Sequence, residues 1–499
     1  MTMVKTSIDV LTVQVLYCKT FPYFHRYFGP VRPLFPERVC LRATIRHWRP
    51  TLFVVLAALM AAIIWGHTGA GKGWWDLGRI ALVFVLVVVM LRHRADIGVT
   101  LLAAAVALGF LFALPLAKIV RTLTLGIIPG PEITEVNLSA FLRDAIILAL
   151  VVALINVLGH IMTASGAIRR LITALERLSR DVRYVTAIVP STLGLLPMPG
   201  GAMMTAPFVE ELGARIGEDA AGKTAINFWF RHVWEYWWPM FPAVVLMTQT
   251  RFLPAAFSLT DLIRPGIFLS LVSMAAGWIF LLRRGRGRGD LAGGPPRWSD
   301  LGAVAATLWP VGVVVLCVAI LPKHMPKGCG DLVFPAILVV VNAALVRLWR
   351  LSHAQVWETL KRSFSLNMTA MLFTVYILRA MFEASQAASG LPSTLREYHI
   401  PVPLICFLVP WIVGMLTGYT IAGVSTTFPL LAPLFTGSAP ILIAYLGAFI
   451  GVLMSPVHLC LVLTMQYFRA DYASAYRRLA LPYAVILMAV TAVGLLLWR

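Results

Sequence analysis

Apolar runs separated by short polar connections recur along most of this chain, at about residues 51–66, 78–92, 97–116, 141–165, 226–250, 261–282, 302–321, 331–349, 363–386, 440–465 and 480–498. Most approach the roughly 20 apolar residues needed to cross a bilayer as a helix. The pattern predicts an all-α polytopic membrane protein with about 11 transmembrane helices. Two further apolar stretches, 184–216 and 400–436, break the rule. The centre of the first, Pro197-Met-Pro-Gly-Gly201, cannot continue a helix, because two prolines remove backbone donors and two glycines add backbone freedom. The second, Gly414 to Phe428, carries Gly418 and Gly423 among five serine and threonine residues. Backbone groups freed at membrane depth are tolerated only inside protein or along a cavity. Both stretches are therefore expected to be re-entrant hairpins and candidate ion or substrate sites.

The composition excludes an ordinary soluble domain: 59% of residues are hydrophobic, only 13% are charged, and the mean hydropathy is +0.83. The net charge of +20 does not point to nucleic acid. Its basic residues cluster in short connections and in residues 1–50, as the cytoplasmic Lys/Arg bias of membrane proteins requires. Residues 1–50 lack the long apolar core and small-residue cleavage site of a signal peptide and read as a basic cytoplasmic N-terminal extension. Residues 51–77 add an extra transmembrane helix and loop.

When every basic cluster is placed in the cytoplasm, the alternation of spans closes if each broken stretch enters and leaves on one face. The hairpin at 184–216 then opens to the cytoplasm and the hairpin at 400–436 to the opposite side. Residues 78–282 and 302–499 each contain three spans, a hairpin and two spans, in opposite orientation: an inverted repeat. A basic, Gly/Pro-rich cytoplasmic linker, 283–301, joins them. Self-similarity agrees at an offset of 220, where Val189-Pro190 matches Val409-Pro410, Gly194 matches Gly414, Leu196 matches Leu416, Ala202 matches Ala422 and Phe208 matches Phe428.

Candidate chemistry gathers at the hairpins and at the helices after them. The first tip offers Pro197, Met198, Pro199, Gly200, Gly201 and Ala202; the second offers Thr417, Gly418, Thr420, Gly423, Ser425 and Thr426. Half-helix N-termini favour an anion, and unwound carbonyls and hydroxyls suit a cation. After the first hairpin, Arg231 and Glu235 stand i,i+4 and are expected to share a helix face as an ion pair. Arg231 and His232 are candidates to bind an anionic group, and Glu235 to couple a proton or cation. The competing account is an interfacial belt of Trp229, Trp234, Trp237 and Trp238 with the charges reaching water. In the second half, Ser455 and His458 flank Pro456 at the equivalent place. Arg379 and Glu383 read as a structural pair, and Asp144, Asn156 and His160 as weaker candidates.

Six cysteines are scattered without a Cys-x-x-Cys pair, so their spacing indicates neither a metal site nor a disulfide framework. Walker-type phosphate loops, nucleophile elbows and His-Glu-x-x-His patterns are absent, and no catalytic constellation suggests an enzyme.

The runs Leu195-Leu-Pro-Met-Pro-Gly-Gly-Ala202, Asn227-Phe-Trp-Phe-Arg-His-Val-Trp-Glu235 and Ser455-Pro-Val-His-Leu-Cys-Leu-Val-Leu463 resemble domain-of-unknown-function family 401, prokaryotic integral membrane proteins without an assigned substrate. The resemblance covers about residues 78–498 and extends to the ion-transporter superfamily of arsenite, citrate, gluconate and dicarboxylate permeases. It implies a multi-pass protein of the bacterial or archaeal cytoplasmic membrane, two hairpins in a transport domain that moves against a scaffold, and a homodimer. The Ser-Asn-Thr signature common in sodium-coupled dicarboxylate carriers is missing from both tips. The expectation is a secondary transporter of a small anionic solute, such as a carboxylate or oxyanion, coupled to H+ or Na+ and needing no bound cofactor. The alternatives are a sodium/proton antiporter built on Glu235, and a non-transporting membrane protein or intramembrane enzyme.

Overall fold

A computed structural model describes residues 73–92, 95–124, 135–178, 181–196, 201–248, 257–282, 298–321, 330–364, 366–386 and 391–498. The expectations for residues 1–50, the span at 51–66, the tip residues 197–200 and the linker 283–297 lie outside the described residues. Nearly all of the described residues lie in helices. In order they are α1 (Gly73–Arg92), α2 (Ile97–Leu111), α3 (Leu116–Leu123), α4 (Glu135–Ala164), α5 (Ala167–Leu178), α6 (Val182–Gly194), α7 (Ala202–Arg215), α8 (Ala220–Arg231), α9 (Pro242–Thr248) and α10 (Leu259–Gly277). There follow α11 (Trp298–Ile320), α12 (Gly330–Leu348), α13 (His353–Ser363), α14 (Leu366–Ser385), α15 (Leu391–Glu397), α16 (Val402–Thr417), α17 (Thr420–Leu431), α18 (Ser438–Leu453), α19 (Leu459–Phe468) and α20 (Tyr472–Trp498).

Local sequence explains many of the boundaries. Asp96 and Asp219 cap α2 and α8, their carboxylates accepting from Gly98 N–H at 2.8 Å and Gly222 N–H at 2.7 Å. Ser352 and Gln355 form a reciprocal capping box on α13. Gly418 ends α16 in the left-handed region at φ +65°, which a side chain would strain.

Four segments are long and apolar enough to cross a membrane: Ala145–Ala164, Leu259–Leu282, Asp300–Val318 and Tyr472–Trp498. Several shorter helices, α16 and α18 among them, are equally apolar. Large apolar side chains face outward on these elements, including Phe268 and Leu271 on α10 and Met488, Leu495 and Leu496 on α20. Outward leucines in such density suit lipid and mark a membrane protein.

Two of the expected spans are interrupted. The run at 226–250 divides into α8 and α9 around 232–241, and the run at 440–465 into α18 and α19 around 454–458. The prolines at 239 and 242 and at 456 prevent continuation, but α8 already ends at Arg231, so the first break begins well before its prolines.

Packing is reciprocal. α2 lies against α14 and α4 against α12, so the second outer helix of each half meets the third of the other. Likewise α1 contacts α15 while α11 contacts α5, and α10 packs on α20. Inside this frame each helical pair, α6/α7 and α16/α17, packs on the first segment of its own interrupted helix, α8 or α18. α19 closes the centre by packing on α7 and α8.

Candidate functional site

The two helix breaks meet in the middle of the molecule. The His232 and His458 rings stand edge to face with centroids 4.7 Å apart, and Phe228 touches both. The Tyr445 hydroxyl, from α18, donates to the Glu235 carbonyl in the other break. Each hairpin is pressed onto its own break: a Cβ on Gly201 would overlap the Arg231 guanidinium, and one on Gly418 would meet the His458 backbone at 2.9 Å. Glycine at these two tips permits the close approach, and at Gly418, with φ +65°, it also serves the turn.

Arg231 is 5% exposed and its guanidinium donates to the Leu193 carbonyl at the end of α6 (3.3 Å). Two further carbonyls freed there are also satisfied. Trp234 Nε1–H donates to Ser191 O and Trp238 Nε1–H to Leu195 O, each at 2.9 Å. Trp229 and Trp237 in turn donate to Ser273 O (2.8 Å) and Ser270 Oγ (3.0 Å). All four indoles thus donate to protein acceptors on neighbouring segments. The expected ion pair on one helix face changes. With α8 finished at Arg231, Glu235 sits in the turn beyond it, where its Oε1 lies 4.0 Å from His232 Nε2 and the carboxylate stands beside the Thr420 hydroxyl. Glu235 of the first half thus faces the start of α17 in the second.

The second hairpin is backed differently. Its expected hydroxyls mostly turn onto their own helices: Thr417 donates to Val413 O (2.8 Å), Ser425 to Ala422 O (3.3 Å) and Thr427 to Gly423 O (2.7 Å). Gly423 packs against the Ala448 methyl group, and Thr426 is buried. Ser455 is fully buried and bridges the break to the hairpin through Met415 O (2.6 Å). Of the residues singled out, Gly201, Arg231, His232, Glu235, Gly418, Thr420, Ser455 and His458 come together. Thr417, Gly423, Ser425 and Thr426 serve hairpin packing. Ala202 supplies a carbonyl to a neighbouring network, and Pro197, Met198, Pro199 and Gly200 lie outside the described residues. Arg379 and Glu383 form a pair at 2.8 Å away from this centre, and His160 bonds Ser363 at 2.9 Å.

Three participants escape a reading by motif. Asn227, fully buried, accepts from Thr205 (2.5 Å) and donates to Ala202 O (2.9 Å) and Thr464 Oγ1 (3.2 Å), tying α7, α8 and α19 together. Thr464 is an isolated hydroxyl in an apolar run, and nothing local in the sequence distinguishes it. Cys460 is the third. Its sulfur and one ring nitrogen from each of His232 and His458 all lie within 4.8 Å of one another. Cysteine spacing gave no metal motif because the partners of Cys460 include a histidine 228 residues earlier in the chain.

The sequence profile of the family described as "Protein of unknown function (DUF401)" matches residues 77–497. No curated protein matches the chain. With so much of its length covered, the chain belongs to that family.

Proposed function

We propose that this DUF401 protein is an ion-coupled secondary transporter of a small anionic solute, a carboxylate or oxyanion, in a prokaryotic cytoplasmic membrane. The observation that carries the reading is the meeting of two interrupted helices, from different halves of the chain, around buried Arg231, His232 and His458 and half-buried Glu235. Charged side chains and free helix ends at membrane depth are costly and are kept where they bind or couple. The reciprocal packing of α2 on α14 and α4 on α12 supports an inverted repeat. In that arrangement α6/α7 and α16/α17 are re-entrant hairpins opening to opposite faces, with the basic connections in the cytoplasm.

The guanidinium of Arg231 and the free N–H groups at the start of α7 supply the attraction for an anion. Glu235, in contact with α17 through Thr420, is placed to sense the second hairpin and to carry the coupling proton or cation. Movement of the two hairpins with α8, α9, α18 and α19 against the outer helices gives elevator-type alternating access, in keeping with the ion-transporter superfamily.

Uptake into proteoliposomes under an imposed proton or sodium gradient tests the reading, with a panel of carboxylates and oxyanions. Gradient-driven flux of one class, lost in Arg231→Ala and uncoupled in Glu235→Gln, is the expected result. Absence of gradient-dependent flux for every compound overturns it. Sodium/proton exchange that vanishes in Glu235→Gln without any solute requirement would instead establish the antiporter reading, which the carboxylate's position between the two halves favours over an enzymatic one.

A further inference from the structure

The cluster of His232, His458 and Cys460 carries chemistry that the binding of an anion does not use. The His232 Nδ1 lies 2.6 Å from Phe228 O and the His458 Nδ1 3.0 Å from Val452 O. A carbonyl only accepts, so each Nδ1 holds the ring proton and each Nε2 is left as a bare lone pair. Fixing a histidine through a backbone carbonyl in this way orients its other nitrogen, as the outer partners of metal-ligating histidines do. Both rings are buried, 2% and 6% exposed, and they stand edge to face, with one nitrogen of each within 4.8 Å of the Cys460 sulfur. A thiol has one proton and can satisfy one imidazole. A metal ion satisfies both nitrogens and the sulfur at once.

We propose that His232, His458 and Cys460 form a binding site for a borderline-soft transition-metal cation, of which Zn2+ is the representative. Two imidazoles and a thiolate are the donor types such ions select, whereas Mg2+, Ca2+ and Na+ prefer oxygen. The three donor atoms lie within 4.8 Å of one another. Tetrahedral zinc wants ligand separations of about 3.3–3.8 Å, given its usual bond lengths, so small side-chain rotations close the site. The Glu235 carboxylate, with Oε1 4.0 Å from His232 Nε2, stands just outside the three-donor group and would have to swing inward to serve as a fourth ligand. In that position it and the thiolate would together balance a 2+ charge. Binding releases the thiol proton to solvent, so uptake of the cation strengthens as pH rises. Because His232 belongs to the first helix break and His458 and Cys460 to the second, the ion would join the two halves of the chain at their centre. The site does not depend on the transport reading and is tested without measuring flux.

The experiment uses the full chain, free of any histidine tag, purified in detergent and stripped with chelator. Titration with Zn2+ against a chromogenic chelator should show one tight equivalent per chain. Co2+ should give the intense visible bands of a tetrahedral site together with a sulfur-to-cobalt charge-transfer band. Cys460→Ser should weaken Zn2+ binding at least 10-fold and abolish the charge-transfer band, while Cys317→Ser and His160→Gln leave both unchanged. Since His232 or His458 variants can fail to fold, a second measurement uses the unaltered protein. One equivalent of Zn2+ should protect Cys460 from alkylation at least 10-fold, read by mass spectrometry on its own peptide, and Mg2+ should not. Substoichiometric zinc, an octahedral cobalt spectrum, or alkylation of Cys460 indifferent to Zn2+ overturns the proposal.

Discussion

The two hairpins rest on their interrupted helices by different means, although they occupy matching places in the chain. At the offset of 220, Leu195 corresponds to Met415, Trp238 to His458 and Glu235 to Ser455. The carbonyls of Leu195 and Met415, both near the end of a first hairpin helix, each receive a hydrogen bond from the following break. The donor is the Trp238 indole in one half and the Ser455 hydroxyl in the other. The difference follows from how closely the backbones approach. On α18, Gly447 and Gly451 sit against the carbonyls of Phe407 and Trp411, and Gly414 sits against that of Ala448. Such glycine-lined contact leaves room only for a small donor. The first half keeps glycine at Gly194, against the Arg231 carbonyl, but fills the rest of the gap with Trp234, Trp238 and Arg231. One backbone device is thus stabilised by tight packing on one side and by large polar-tipped side chains on the other, and the charged groups lie on the looser side.

The sharpest way to break this comparison is to add a methyl group where the glycines touch. A Cβ on Gly451 would overlap the Trp411 carbonyl, a backbone atom that cannot step aside, whereas one on Gly312 meets nothing within 4 Å. Gly451→Ala should cost about 1–3 kcal/mol or more through overpacking and lower the thermal unfolding temperature in detergent, with Gly312→Ala close to the parent. Equal melting of the two variants would refute the close contact. The next effect in size concerns the looser half. Asn227→Leu removes one partner each from Thr205, Ala202 O and Thr464, which keep the Thr205–Ala202 O and Thr464–Cys460 O bonds. Each lost hydrogen bond should therefore cost about 0.5–1.5 kcal/mol. A double-mutant cycle of Asn227→Leu with Thr464→Val should show coupling, since the two side chains share a bond across halves. Strict additivity would remove that link.

Much of this arrangement was legible in the sequence because it is made by backbone-directing residues. Pro190, Gly194, Pro410 and Gly414 locate the two helical pairs, and apolar runs locate most of the outer helices, although α4 and α20 begin six and eight residues before the runs at 141 and 480. The ends were harder. The first helix break begins at His232 rather than at Pro239, because the chain there is held by tertiary donors, Arg231, Trp234 and Trp238, whose acceptors lie some 40 residues earlier. The same cause hid Cys460 and Thr464. Each is unremarkable in its own helix and gains meaning through a partner more than 200 residues away, His232 for Cys460 and Asn227 for Thr464. Hydroxyl-rich composition, by contrast, did not foretell that Thr417, Ser425 and Thr427 donate to their own turns.

A milder probe compares the two equivalent carbonyl caps directly. Trp238→Phe and Ser455→Ala each delete one donor, to Leu195 O and to Met415 O. Hydrogen bonds between membrane helices average about 0.6 kcal/mol and reach about 1.7. Both variants should therefore remain folded with modestly lowered unfolding temperatures. Loss of the cap should loosen the hairpin it holds, read as faster hydrogen exchange confined to α6 for Trp238→Phe and to α16 for Ser455→Ala. Exchange that rises in both hairpins from either change would show that the two halves are not separately capped.

The smallest effect is expected where the halves touch outside the centre. Asp219, in the exposed connection before α8, caps that helix through Gly222 N–H and also accepts from Arg478 of α20 at 2.9 Å. Partial burial pushes its carboxyl upward, but the bonds from Gly222 and Arg478 outweigh that, and it titrates below the ordinary carboxylate value. A depressed folded-state value means that its contribution is complete above the unfolded value near 3.8 and is lost as pH falls through the folded one. Asp219→Asn keeps a competent helix cap and removes the charge. The cost at neutral pH should be about 0.2–1 kcal/mol, as for other exposed pairs, shrinking in high salt. The difference between the variant and the parent should close below pH 4, where the parent's carboxylate is itself being protonated. A gap that persists unchanged at pH 3 would assign Asp219 a purely steric role in the connection, with Arg478 contributing nothing to the union of α8 with α20.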